Sequence, residues 1–336
     1  MVVRTLRIVT ILFLFQPGVS AQTSGHWQDP SHHRVIFVPV GEGISLEVLD
    51  WGGSGQPVVL LAGLGSTAHV FDDFAPKLAT RCHVYGITRR GYGASSRPLS
   101  GYDEEQLAND DLRVFVALKL KTPVVAGHSV AGNELSQLGI HFPDRVAGLV
   151  YLDALNDGSD DYSDYDALTA KLPQRMRMPP VVSAADTKNF SAFQQWKTRT
   201  DGVIYPEAEL RSKYRENADG SVGDEITPDF VSDSIMAGDH KHDYSQIKVP
   251  VLAFVGFPKP ALEQIREGNI TDPSEKEILE AVFGTYVGMT KNRIKRINSA
   301  SGGARAVELW GASHFVFLSN ADEVLRQIQI FIGGLH

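Results

Sequence analysis

The chain is 336 residues long, 43% hydrophobic and 21% charged, with a formal net charge of −8. That length and composition suit a soluble globular protein with a large core and exclude a low-complexity or disordered chain. The acidic balance argues against nucleic acid as a partner: the basic cluster Lys291-Asn292-Arg293-Ile294-Lys295-Arg296 reads more simply as the solvated face of a helix.

Residues 1–21 have the order of a secretory signal peptide. Arg4 and Arg7 form a positive first region, residues 8–15 an apolar one, and Val19-Ser20-Ala21 a small-residue cleavage site after the breaker Gln16-Pro17-Gly18. The apolar stretch is far short of a membrane span. Cleavage after Ala21 and export, to the periplasm or the medium, are therefore expected, with a buried N-terminal strand as the competing reading. No cysteine follows in the leader, so a lipid anchor is not expected. Cys82, the single cysteine, cannot make an internal disulfide and reads as a buried structural thiol.

Residues 34–40 and 44–50 flank Gly41-Glu42-Gly43, the turn chemistry of a hairpin. Strands and helices then alternate. Residues 57–61 read as a strand, 67–78 as a helix, 82–87 as a strand and 103–120 as an amphipathic helix. A strand over 123–127, a helix over 130–141 and a strand over 146–152 follow. Short, all-apolar strands alternating with helices predict an α/β fold: a mostly parallel central sheet covered by helices on both faces.

Three segments at strand ends carry chemistry. The first is Gly127-His128-Ser129-Val130-Ala131-Gly132, a strand passing at once into a helix. A serine hydroxyl is a poor nucleophile, so it must sit on a tight turn within reach of a base and of backbone N–H groups; the small residues at either side leave room for such a turn. A serine-capped helix is the competing reading. The second is Ala62-Gly63-Leu64-Gly65-Ser66, a glycine-rich turn between strand and helix. Its Leu64 N–H, with that of Val130, would make an oxyanion hole; the turn also suits nucleotides, but the second half of a dinucleotide fingerprint is missing. The third is Gly311-Ala312-Ser313-His314-Phe315, after a strand over 306–310 and before a helix over 321–332, which makes His314 the candidate general base.

On these residues the chain, from about residue 35 to its end, resembles the α/β-hydrolases. Arg89-Arg90-Gly91-Tyr92-Gly93-Ala94-Ser95 resembles that family's Arg-Gly-x-Gly-x-Ser turn, and residues 247–254 its strand returning from the cap. The resemblance implies a triad in the order Ser, acid, His. Most members carry the acid just after the returning strand, but here that turn reads Gly256-Phe257-Pro258-Lys259 and holds no carboxylate. Some place it one step earlier, after the nucleophile helix, where Asp153 stands; Asp157 is the runner-up. Ala62 replaces a histidine common in the family, and Thr88 an aspartate, which affects supporting hydrogen bonds only. Serine at the elbow disfavours dehalogenases and epoxide hydrolases, which form an ester on a carboxylate.

The resemblance divides the chain into a core, 22–155 and 249–336, and a mostly helical cap over 156–248. The cap's acidic start, from Asp157 to Asp166, lacks calcium-loop spacing and reads as a solvated loop. Its aromatics, among them Phe190, Phe193, Trp196 and Tyr205, suit either a pocket roof or the cap's own packing. His240 and His242 lack a third defined metal ligand. In a second insertion over 260–303, Ile278, Leu279, Val282, Phe283, Tyr286 and Val287 repeat at helical spacing, indicating a helix packed on the domain or cap, and its place in the sequence gives the expectation that it narrows the pocket mouth near His314.

The expected function is that of an exported serine esterase acting on a small ester-like substrate by two-step acyl transfer. Ser129 attacks, His314 is the base, Asp153 orients it, Leu64 and Val130 hold the oxyanion, and no cofactor or metal is required. Thioesters, lactones, amides and carbon–carbon bonds are open to the same groups, as is transfer to peroxide or an alcohol in a cofactor-free perhydrolase or acyltransferase. A non-catalytic binding protein on the same fold is the third reading. Oligomeric state stays open.

Overall fold

The computed structural model of the chain describes residues 27–335 apart from Glu42, Asp157, Ser159 and Pro179; the signal-peptide expectation and the alternative acid Asp157 lie outside the described residues. The chain separates into two units, Met1–Pro30 and Ser31–His336. The described residues of the first carry no regular secondary structure, and everything below concerns the second.

Strands β1 (Arg34–Gly41) and β2 (Ile44–Gly53) form the antiparallel hairpin anticipated from its glycines. Strands β3 (Pro57–Leu61), β4 (His83–Ile87), β5 (Val124–His128) and β6 (Gly148–Leu152) follow, interleaved with helices α1 (Ala75–Leu78), α2 (Glu104–Ala117) and α3 (Ala131–His141). Between β6 and the strand that returns to the sheet come α4 (Ser163–Thr169), α5 (Gln174–Arg177), α6 (Phe190–Asp201), α7 (Glu207–Lys213), the hairpin β7 (Tyr214–Glu216) and β8 (Val222–Glu225), and α8 (Asp229–Ala237). The chain ends with β9 (Val251–Phe257), α9 (Ala261–Glu267), α10 (Pro273–Ile297), β10 (Ala304–Trp310), α11 (Val316–Ser319) and α12 (Ala321–Gly333). The large sheet has the order β1-β2-β4-β3-β5-β6-β9-β10, antiparallel at β1-β2 and β2-β4 and parallel elsewhere. Among the described residues no helix is long and apolar enough to cross a membrane.

Burial explains the apolar runs. β5 and β6 lie at the sheet centre with every residue buried. Their alternate side chains feed two cores: Val125, Leu149 and Tyr151 pack with Phe115, Leu135 and Leu138 on one face. On the other, Val124, Ala126 and Val150 pack with Phe71, Phe74, Phe317 and Ile328.

Two readings of the sequence need correction. The helix expected over 67–78 is broken into a 3-10 turn, Ala68–Phe71, and the single turn α1. Pro76 has no N–H to give to the carbonyl of Asp72, and its ring would clash there. The basic cluster at 291–296 is also not simply solvated. Arg293 and Arg296 both pair with Asp160, whose side chain is 5% exposed, and Lys291 pairs with Glu308. Asp160, in the segment read as a solvated loop, is thereby tied to α10, and from Ser163 the chain forms α4.

The insertion docks on the loops that leave β3 and β4. Glu209 of α7, fully buried, accepts from Thr67 N and Oγ1, Thr227 donates to Gly91 O at 2.9 Å, and Tyr92 meets Ser232 at 3.0 Å.

Beside this junction Asp72 joins two histidines: Oδ1 lies 3.0 Å from His33 Nδ1 and Oδ2 2.9 Å from His69 Nδ1, with Glu47 3.9 Å from His69 Nε2. Burial alone would drive His69 toward neutrality, but the Asp72 and Glu47 carboxylates outweigh it and hold its pKa at about 10. A raised folded-state value contributes stability that is complete below the unfolded value near 6.5 and is lost as pH rises toward 10. Stability should therefore fall between these limits by up to about 1.4 kcal/mol per pH unit, and His69→Gln should flatten that slope in urea titrations. Equal slopes in the two proteins would show that His69 folds uncharged.

Candidate active site

β5 is entirely buried and ends at His128; α3 begins at Ala131. The turn between them puts Ser129 at φ +54°, a left-handed conformation that costs an L-residue about 1–2 kcal/mol. The glycines around it follow from close approach. A β-carbon on Gly132 would lie 1.9 Å from Ala154 O, and one on Gly127 would lie 3.0 Å from Ala131 Cβ. Ser129 N donates to Leu152 O at 3.3 Å, tying the turn to the end of β6.

Asp153 leaves β6 in the same unusual conformation, at φ +50°. Its N–H donates to Phe254 O at 2.9 Å, its Oδ1 accepts from Gly256 N at 2.9 Å, and its Oδ2 accepts from His314 Nδ1 at 2.7 Å. The turn after β9, which lacks its own carboxylate, is thus occupied by the carboxylate from the neighbouring strand. Gly256 is small for that reason: a β-carbon there would lie 3.3 Å from Asp153 Oδ2.

His314 sits on the loop after β10 with its side chain half exposed. A hydrogen bond from Nδ1–H to Asp153 leaves the Nε2 lone pair available to a proton. No hydrogen bond joins that nitrogen to Ser129 Oγ among the described residues. Such contacts are commonly loose in a substrate-free site and tighten on binding.

The glycine turn after β3 packs directly on the elbow. Ser66 N donates to Gly63 O at 3.2 Å, and Gly65 takes φ +70°. A β-carbon on Gly63 would lie 2.6 Å from His128 Nδ1 and 3.1 Å from Ser129 Cβ. Leu64 and Val130 pack against one small cluster, with Tyr92, Tyr102, Leu107, Val231 and Ile235. Among the described residues neither of their N–H groups has a recorded acceptor.

Two supporting residues went unread in the sequence. His128 is buried, and its Nε2 donates to the backbone oxygen of His314 at 3.1 Å while the two rings lie 4.6 Å apart. Burial first, and then the neighbouring His314, push its pKa well below the ordinary histidine value, so it is a neutral strut rather than a second base. Arg89 is the other. It holds Glu134 of α3 in a bidentate pair, at 2.8 and 2.6 Å, and donates to Ala62 O at 2.9 Å. It therefore bridges the helix behind Ser129 to the turn carrying Leu64. Its position next to the Arg-Gly-x-Gly run was the available signal.

Metal-ligating atoms of His33, His69 and Asp72 lie within 4.8 Å of one another, but Asp72 already meets the two histidines, at 3.0 and 2.9 Å. His240 and His242 instead face Glu104, at 3.7 and 3.2 Å.

Comparison with known proteins bears on the fold. The model of the alpha/beta hydrolase family matches residues 58–327. A Caulobacter segnis protein named for carbamate hydrolysis, RutD, is 37% identical over 32% of this chain and 42% of its own length. A fluoroacetate dehalogenase of Burkholderia is 28% identical over 61% of the chain and 72% of its own. Among solved structures, an E-2-(acetamidomethylene)succinate hydrolase superposes with a TM-score of 0.65 at 19% identity, covering 90% of this chain and all of that one. The match thus spans less than half of the first of these sequence relatives.

Proposed function

The chain belongs to the alpha/beta hydrolase family, and from that premise we propose that it is a serine hydrolase cleaving small carboxylic esters through an acyl-enzyme. The observation that carries the proposal is the 2.7 Å hydrogen bond between Asp153 and His314 beside an elbow that holds Ser129 in a strained conformation. In this reading Ser129 Oγ attacks the carbonyl as its proton moves to His314 Nε2, and Asp153 fixes the imidazole's tautomer and supports its charge. The N–H groups of Leu64 and Val130 receive the oxyanion, worth about 3–4 kcal/mol of barrier for each donor. Water then repeats the sequence to release the acid.

The relatives' names span carbamate, carbon–halogen and amide-type substrates, so the ester assignment rests on the site's own groups. Serine at the elbow separates the chain from a reaction that needs a carboxylate nucleophile there. Peroxide or an alcohol in place of water would make a perhydrolase or acyltransferase of the same site. The leader supports export, which N-terminal sequencing of protein from the periplasm and medium would test.

A fluorophosphonate probe is the direct test. Wild-type protein should gain one adduct, mapped by peptide mass to Ser129, and hydrolyse p-nitrophenyl esters; Ser129→Ala should do neither. Ester turnover surviving in S129A would sink the proposal, and absence of labelling in a folded wild type would favour a non-catalytic binding protein.

A further inference from the structure

A cavity of about 360 Å³ borders the Asp153–His314 pair. Its walls are Tyr165 of α4, Phe257 at the end of β9, and Leu279, Val282, Phe283 and Tyr286 of α10. Four of the lining residues thus come from the helix of the second insertion, as its place in the sequence suggested. Ser129 is not in the lining, and neither lysine nor arginine is. A second cavity, about 190 Å³, touches Gly65 on the oxyanion side and is lined by Lys213, Glu225, Asp229 and Asp233. The two sides of the site therefore differ in kind: aromatic and uncationic next to the base, charged next to the glycine turn.

Chemistry assigns the sides. In acylation the bond from Ser129 Oγ to the acyl carbon forms and the bond from that carbon to the leaving oxygen breaks. The proton taken from Ser129 by His314 Nε2 is handed to that oxygen, so the leaving group must lie against His314. A carboxylate on it would lie among aromatic rings, beside Asp153 and with no lysine or arginine in the lining, which disfavours the ionised form twice over. An uncharged ring meets offset and edge-on partners instead.

We propose that the cavity on the His314 side is the leaving-group pocket and that it selects esters of uncharged aromatic or arylmethyl alcohols over those of small or carboxylate-bearing alcohols. The proposal rests on the serine-hydrolase reading above.

The test compares acetate esters of similar leaving-group basicity, so that rate differences report recognition. For the full-length protein, kcat/KM for benzyl acetate should exceed that for ethyl acetate, and that for 4-carboxybenzyl acetate, by about 30-fold or more. Phe283→Ala should lower the benzyl-to-ethyl ratio at least about fivefold, and Leu279→Arg should raise the carboxybenzyl-to-benzyl ratio at least about tenfold. Ratios near one in a wild type whose Ser129 takes the fluorophosphonate would overturn the pocket assignment and leave the hydrolase reading standing. A folded wild type that takes no label would instead remove the reading on which the pocket depends.

Discussion

Asp153→Asn is expected to lower kcat by about 10⁴ on an activated ester while leaving KM within a few-fold of wild type. The substitution keeps the shape of the side chain and can keep the acceptor for Gly256 N, now 2.9 Å away. What it loses is the negative charge 2.7 Å from His314 Nδ1. An amide offering its NH₂ to the ring would stabilise the tautomer with the proton on Nε2, leaving no lone pair to take the serine proton. Steady-state kinetics with a thermal melt as a control for folding would check this. A folded variant within tenfold of wild type would remove Asp153 from the triad.

The second large effect is on stability. Arg89 is 5% exposed and Glu134 3%, and breaking a buried ion pair by removing one partner costs about 3–5 kcal/mol. Arg89→Met should therefore shift the urea midpoint strongly downward. Asp111, fully buried nearby, sharpens the expectation: burial and the Glu134 charge already push its pKa well up, with Arg89 opposing them. Without the Arg89 guanidinium, Asp111 and Glu134 lose the charge that opposes their mutual repulsion. Pairing Arg89→Met with Glu134→Leu should restore much of the stability, because the orphaned charge is gone. It should not restore catalysis, since Ala62 O still lacks the donor that Arg89 holds at 2.9 Å. Recovery of full activity in the double variant would show that the Arg89 link to the glycine turn is dispensable.

These two residues mark how far the sequence could be read. Asp153 could be singled out because the family's usual acid turn, here Gly256-Phe257-Pro258-Lys259, holds no carboxylate, and the fold sets it 2.7 Å from His314. The alternation of strands and helices was legible for a similar reason: short apolar runs and glycine turns act locally, so each can be recognised where it stands. Arg89 was not, because its meaning lies in Glu134 and Ala62, partners distant in the chain that only the folded sheet brings together. The same holds for Asp160 with Arg293 and Arg296: each cluster looked solvated because the other was far away in sequence. The break at Pro76 was misread for the opposite reason. The proline was in plain view, and the apolar periodicity around it was given more weight than the missing donor.

The placement of Asp153, the proposed acid, at the end of β6 bears on how the molecule comes into being. Ser129 closes β5 and Asp153 closes β6, and these hydrogen-bonded neighbours are joined by α3 alone. In vectorial synthesis, with domains folding from the N-terminal side, this strand-helix-strand unit is complete before any of the large insertion has been translated. His314 follows β10, beyond both insertions. On the proposed triad, a nascent protein halted in the insertion would carry Ser129 and Asp153 but lack His314, and would turn over no ester. In the proposed mechanism the general base is therefore the last of the three groups to be made, and turnover would require β10 and the loop that follows it.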